Sequence, residues 1–475
     1  MHDRNSLPLR TALTVAVALS LAACAVGPNY REPTPEVDAA YSGQTLVEAV
    51  AQPAVATWWK GFGDPLLDEL VADALTANRS IAAASARLQE ARANRRETRF
   101  DYLPSVTGRG SATRTRQSAS GTAGVPADRE YDLYDVGFDA AWEIDIFGRV
   151  RRGNEAAYAA QGAAKASLED MRLSVVAEVA RNYFELRGAQ QQLAVAERNA
   201  SNQSRSLELV RARFEAGRGT ALDTARAQAQ IETTLASVPP LEADVSQARH
   251  RIEVLTGRRP GQLTDRLGPA APMPALPANL AIDDPAAMLR RRPDVRQAER
   301  QLAATSARIG IATADLFPRL TLNGSLGLSA FDFDALDDSG NDYHRFGPSL
   351  SWALFDFGHV RARIRAAGAR HEAAFADYEQ SVLLALEDVE NALSGYGREK
   401  RRLGHLAAAA RASVEAADLA TQRFEGGISD FLTALDAYRT ALDAEDELAA
   451  SQTAAATSLV ALYKALGATV PDAVP

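Results

Sequence analysis

Two periodicities divide this chain. Over long stretches Ala, Leu, Glu, Gln and Arg dominate with the spacing of helices, and in four short stretches apolar and polar residues alternate. The alternation is clearest where Tyr134, Val136, Phe138, Ala140, Trp142 and Ile144 interleave with Asp135, Gly137, Asp139, Ala141, Glu143 and Asp145. It returns where Leu320, Leu322, Leu326 and Leu328 interleave with Thr321, Asn323, Ser325 and Ser329. Weaker copies follow Pro104 and Phe346, so strands are expected at about 104–117, 131–147, 318–330 and 346–357. One face of each suits hydrocarbon and the other suits water, and each is about the length of a tilted transmembrane strand. The polar connections from Ser118 to Glu130 and from Phe331 to Arg345 resemble the longer outer loops of membrane barrels. The same alternation would serve a soluble sheet with one wet face. The polar loops and the N-terminal chemistry described below select the membrane.

The helical stretches are unusual for their length. Asp64 and Pro65 have the character of a cap and a first helical residue, and a helix is expected from there to about Phe100, with Pro104 beyond it. Pro293 and Asp294 mark a second such start, and Pro318 its end. From Arg149 to about Ala216, and from His359 to about Gly426, there is no proline. At 1.5 Å per residue each run can reach roughly 100 Å, the scale of a coiled-coil or helical-barrel wall.

The order of elements occurs twice, offset by 210 positions. Trp142 and Gly148 match Trp352 and Gly358, Arg213-Phe214-Glu215 matches Arg423-Phe424-Glu425, and Gly217 and Gly257 match Gly427 and Gly467. The expected organisation is a signal segment over 1–23, an extended lipidated segment over 24–63, a first repeat over 64–260, a Pro-rich linker over 261–282, a second repeat over 283–469 and a tail over 470–475. Four strands cannot close a barrel, because single-chain barrels begin at about eight and open edges are not viable in lipid. Copies must pool strands. Two copies give eight strands and a filled interior, so three is the smallest number that leaves a passage.

Composition narrows the function. With 475 residues, 46% of them apolar, the chain can build a core, and a formal charge of -9 offers no basic surface for nucleic acid. The six histidines are scattered, so no metal constellation can be drawn. Charges are dispersed along helical faces without a convergent acid, base or nucleophile, which argues against an enzyme. The acidic row Asp135, Asp139, Glu143 and Asp145 reads as a solvated pore lining, with a bias of the lumen towards cations as the sharper alternative. The single cysteine, Cys24, follows Arg4, Arg10 and an apolar run from Thr11 to Ala23 too short to span a bilayer. Leu21-Ala22-Ala23-Cys24 resembles a bacterial lipobox, in which the thiol is diacylated and the cysteine becomes the N-terminus. In such lipoproteins an Asp after the cysteine is associated with retention at the inner membrane, and here Ala25 follows. The expected anchor is therefore in outer-membrane lipid, with no cofactor beyond the diacylglycerol and N-acyl chain on Cys24.

Taken together, Cys24-Ala25-Val26-Gly27-Pro28-Asn29-Tyr30, Trp58-Trp59 with Phe62 and Asp64-Pro65, Arg292-Pro293-Asp294-Val295 with Glu299, and Phe317-Pro318 resemble the TolC/OprM/NodT family of outer-membrane factors, over essentially the whole mature chain. The resemblance implies a mainly α, mixed membrane protein: a homotrimeric 12-stranded transmembrane β-barrel continuous with a long periplasmic α-helical barrel. It also implies a periplasmic adaptor and an inner-membrane resistance-nodulation-division (RND) transporter as partners, and passive conduction of small molecules to the outside. A TolC-like duct for type I protein secretion is the alternative, and a lipid-anchored periplasmic coiled coil is opposed by the four alternating strands.

Two groups of residues are candidates for function. Gly217, Arg218, Gly219 and Thr220, and Gly427, Ile428, Ser429 and Asp430, interrupt the longest helices at equivalent places, where the family meets its adaptor; such turns need glycine in any case. Leu432, Asp436 and Arg439 are spaced to share one helical face. The leucine and aspartate of Phe431 to Asp436 match those that the resemblance implies narrow the closed periplasmic aperture, with Arg439 available to tie neighbouring helices. The first repeat has Leu222, but Arg226 where the second has Asp436.

Overall fold

A computed structural model describes residues 25–50, 52, 56–118, 130–277 and 280–470. Cys24, the signal segment 1–23, positions 119–129 of the first loop and most of the tail lie outside the described residues. The described chain forms two compact units, and these do not follow the two repeats. Each unit takes segments from both, so the boundary drawn between repeats at 261–282 is not a boundary between compact units.

The first unit holds a four-stranded antiparallel sheet in the order β2-β3-β5-β6, made of β2 (Ser105–Arg116), β3 (Glu130–Ile144), β5 (Arg319–Ala330) and β6 (Asp342–Ser351). Three of these fall close to the alternating stretches. The fourth is displaced: it begins at Asp342 and ends at Ser351, and Phe357 already opens a helix. Pairing of Leu328 with Asp342 and Leu326 with His344 extends β6 into what the polarity of the sequence marks as loop. Two-residue strands β1 (Ala49–Val50) and β4 (Leu280–Ala281) pair in parallel in the second unit, so the Pro-rich segment is held there as well. The buried Glu253 carboxylate also holds it, accepting from the backbone N–H groups of Gly261 and Leu263 at 2.7 and 2.6 Å.

The helices are α1 (Pro65–Ala77), α2 (Arg79–Phe100), α3 (Arg149–Glu215), α4 (Ala221–Ala236), α5 (Val238–Leu255), the single turn α6 (Thr264–Leu267), α7 (Pro285–Arg291), α8 (Pro293–Ala314), α9 (Phe357–Glu425) and α10 (Phe431–Ala465). Asp64 caps α1 by accepting from Leu66 N at 2.9 Å, and Leu67, Leu70, Val71 and Ala74 bury one stripe. The expected single helix to Phe100 is broken at Asn78. Its backbone is extended, with ψ 129°, and its side chain accepts from Ser80 N and Ile81 N to start α2. The first repeat breaks again at Ser237, where Pro239 and Pro240 sit in the first turn of α5; the second repeat has Ala449 and Ala450 there, and α10 runs through. The proline-free runs α3 and α9 are 67 and 69 residues long.

The N-terminal segment is pinned by polar contacts. In the first unit Arg152 donates to the carbonyls of Val26 and Gly27 and to Asn29 Oδ1, and Tyr30 donates to buried Glu299. In the second, Ser42 N and Gly43 N donate to Glu390 at 2.7 and 2.9 Å. Trp58 stacks on Tyr463 with centroids 5.1 Å apart, and Phe62 meets Phe184 at 4.7 Å.

Candidate functional site

The sheet sorts its side chains by face. Even-numbered positions carry Val106, Val136, Phe138, Leu326, Phe346 and Leu350, each with half or more of its surface exposed. Odd-numbered positions are mostly Ser, Thr, Asn, Arg, Asp and Glu, while towards the loops the even face turns polar, with Arg114, Arg116, Glu130, Asp132, Asp342 and His344. An apolar face left bare on a paired sheet has the character of a lipid-facing wall. Among the described residues no helix is long and apolar enough to cross a membrane.

On the polar face the acidic row does not stand free. Arg109 bridges Asp135 at 3.0 Å and Asp139 at 3.2 Å, and donates to the Tyr343 hydroxyl at 2.7 Å. Glu143 accepts from Arg149, with the Nε bond at 2.7 Å, and Asp145 accepts from the N–H groups of Val150 and Arg151 at the start of α3. Every acid of the row has a cationic or helix N-terminal partner in its own chain, with Arg109 shared by two of them. Gly137 lies opposite Gly327, and a Cβ on either would press on backbone and on the Tyr343 hydroxyl, so this pair makes room for that polar bridge.

The two tryptophans mark equivalent corners. Trp142 Nε1 donates to the Tyr102 carbonyl and Trp352 Nε1 to the Leu316 carbonyl, both at 3.0 Å and both two residues before a proline. Both indoles remain partly exposed, as interfacial anchors are. The matching glycines differ. Gly148 has φ +84° and closes against Ala25, whereas Gly358 lies within α9 without a positive φ, so of the matched pair only Gly148 needs to be glycine for its backbone.

In the second unit the helical hairpins end in matched turns. Gly217 (φ +71°) and Gly427 (φ +75°) follow α3 and α9, with Arg218 N bonded to Arg213 O and Ile428 N to Arg423 O, both at 2.8 Å. Thr220 caps α4 by accepting from Asp223 N, with Gly219 between the two caps. Asp430 caps α10 by accepting from Thr433 N at 2.9 Å and Thr433 Oγ1 at 2.6 Å, bonds that hold its carboxyl below the usual carboxylate range. Ser429, Ile428 and Arg218 lie in the same turns, and Ile428 is 72% exposed.

Just beyond, α10 turns Phe431, Ala434 and Leu435 into a core cluster with Leu207, Val210 and Ile231. Leu432, Asp436 and Arg439 fall outside this cluster and are exposed. Arg439 donates to Gln230 on α4, so within the chain it joins two helices rather than pairing with Asp436.

Sequence reasoning passed over two arginines that the fold makes central. Arg213 donates to the carbonyls of Phe424 and Glu425 at 2.9 and 3.0 Å, tying the first tip to the second. Arg292, which precedes the helix start at Pro293 and Asp294, is buried. It donates to Asp294 at 2.7 Å, Asp388 at 2.8 Å and the carbonyls of Ala385 and Ala465. Burial opposes its charge, but these acceptors outweigh burial and hold the guanidinium above its ordinary value. Nearby, burial and the Asp294 charge push the Asp170 carboxyl up. The repeated Arg-Phe-Glu motif was the signal for Arg213.

A lipid-suited sheet joined in sequence to paired helical hairpins defines a channel subunit of an outer membrane. Comparisons with known proteins agree. The sequence pattern of the family described as Outer membrane efflux protein matches residues 70–258 and 285–468. The chain is 32% identical over 461 residues to the outer membrane protein OprJ of Pseudomonas aeruginosa, covering 95% of this chain and 94% of that one. It resembles the solved outer-membrane channel OprN with a TM-score of 0.88 and 44% identity, over 94% of this chain and 99% of that one. It also resembles the open state of the Neisseria gonorrhoeae outer membrane channel MtrE, with a TM-score of 0.83 and 30% identity, over 94% of this chain and 100% of that one. The chain therefore belongs to the outer membrane efflux protein family and serves as an efflux channel of the outer membrane.

Proposed function

We propose that the chain works as a homotrimer in which three sheets close a 12-stranded barrel and the helical hairpins close a periplasmic helical barrel. The observation that carries this reading is the open sheet. Strands β2 and β6 each have one neighbour among the described residues, and both outer edges are bare. Unpaired edges are not viable in lipid, and twelve strands leave a passage where eight are filled by side chains. Cys24 is the acylated N-terminus. The turns at Gly217 to Thr220 and Gly427 to Asp430 receive a periplasmic adaptor, which links the duct to an inner-membrane RND transporter that supplies the energy. Small molecules pass without further chemistry.

The duct closes at its periplasmic end. Three copies of Leu432 form an apolar ring and three of Asp436 an acidic one, a reading supported by the exposure of both beside a buried Leu435. The test is single-channel conductance in planar bilayers. Leu432→Ser with Asp436→Ala should raise conductance and admit vancomycin to cells, with trimer yield unchanged. Wild-type conductance and unchanged antibiotic entry in that variant place the closure elsewhere.

A further inference from the structure

The Arg213 contact has a second half that one chain cannot supply. Arg213 reaches from the last turn of α3 to the carbonyl end of α9, where Phe424 O and Glu425 O accept from its Nη2 and the Phe424 ring lies 4.2 Å beneath its Cζ. A guanidinium is well matched to this place, since a helix C-terminus offers carbonyls and partial negative charge, and an aromatic face adds a cation–π contact. Covered by the guanidinium and packed on Phe431, Phe424 is 8% exposed.

Duplication repeats all of these groups, because Arg423-Phe424-Glu425 matches Arg213-Phe214-Glu215 at the offset of 210. Their surroundings are not repeated. The Arg423 side chain is exposed and has no hydrogen bond or ion pair among the described residues. Phe214, the counterpart of the covered Phe424, is 46% exposed. One end of the chain thus presents a guanidinium without its carbonyls and ring, and the other presents the carbonyls and ring without a guanidinium.

We infer that Arg423 clamps the C-terminal carbonyls of Phe214 and Glu215 of the neighbouring copy and covers that copy's Phe214, repeating between copies the contact Arg213 makes within one. This rests on the trimer proposed above. In a closed ring of six hairpins the donor always lies on one side of a seam and the acceptors on the other, so the contact closes without a leftover end. Side-chain volumes make it matter more between copies than within them. On the donor side of the seam, Val210 and Ile231 are replaced by Ala420 and Ala441. On the acceptor side, Phe431 and Leu435 are replaced by Ala221 and Ala225. A seam between copies has less apolar surface to bury, and the arginine clamp supplies its direction.

The test uses the full lipoprotein extracted in detergent, with Arg423→p-benzoylphenylalanine and, as control, Arg213→p-benzoylphenylalanine. Irradiation at position 423 should shift the band on denaturing gels to two and three chain masses, with the linked peptide mapping to residues 211–218. The control should stay at one chain mass and link to residues 421–427. Trimers by light scattering with a working control, but position 423 remaining at one chain mass or linking elsewhere, overturn the clamp and leave the trimer standing. Monomers by light scattering overturn the trimer, and the clamp with it.

Discussion

Arginine does most of the joining at helix ends in this chain. Arg291 donates to Leu466 O at 2.8 Å and Gly467 O at 3.2 Å, Arg292 to Ala465 O at 3.1 Å, and Arg213 to the last carbonyls of α9. Its planar fork can satisfy several acceptors at once while staying charged, which a lysine cannot match. Gly467 (φ +63°) shows how tightly this is built, because a Cβ there would lie 2.7 Å from Arg292 Cγ. The partners of Arg292 lie on three helices far apart in sequence, so a reading by local spacing could see a helix entry but not the buried cluster. Cys24 is the opposite case, a reading that rests on sequence alone at a position outside the described residues. If it carries the lipid anchor, Cys24→Ser should abolish incorporation of labelled palmitate while leaving some barrel insertion. Undiminished labelling in the variant would show that the acyl chains sit elsewhere or are absent.

Among the elements, legibility followed period and length. Alternation of apolar and polar side chains revealed β3 and β5 and, more weakly, β2, and the absence of proline revealed α3 and α9. Strand β6 was misplaced because its first half pairs Asp342, Tyr343 and His344 by backbone bonds, with no apolar alternation to announce it. The break at Asn78 was missed because a single Asn that ends one helix and caps the next looks like a polar surface residue. The hairpin turns were found because glycine was needed twice at equivalent places. No atom lies within 4 Å of a Cβ built on Gly217 or Gly427, so backbone conformation alone resists substitution there. Gly217→Val or Gly427→Val should cost about 1 kcal/mol or more at its positive φ and displace the tip. If the tips dock an adaptor as proposed, export by the assembled pump, read as resistance to an exported compound, should then fall with the level and oligomeric state of the protein in the outer membrane unchanged. Full resistance in both variants would leave these glycines as turn formers with no part in adaptor docking.

At the scale of the whole molecule, the duplication and the sheet demand the same thing. Among the described residues the chain has four strands with bare outer edges, an exposed apolar face and a polar face whose acids are already paired with arginines. Lipid can cover the apolar face, but it cannot satisfy the edge N–H and C=O groups, each of which costs several kcal/mol when left unpaired in hydrocarbon. In the proposed trimer, other copies supply those bonds. The number of copies was open to a sequence argument only through the arithmetic of barrel closure, since neither strand length nor composition counts chains. Multi-angle light scattering of the detergent-extracted protein, corrected for bound detergent, measures that number. The account predicts a protein mass of three chains, stable to dilution; a stable single chain with its four-stranded sheet intact, or a dimer, would contradict it.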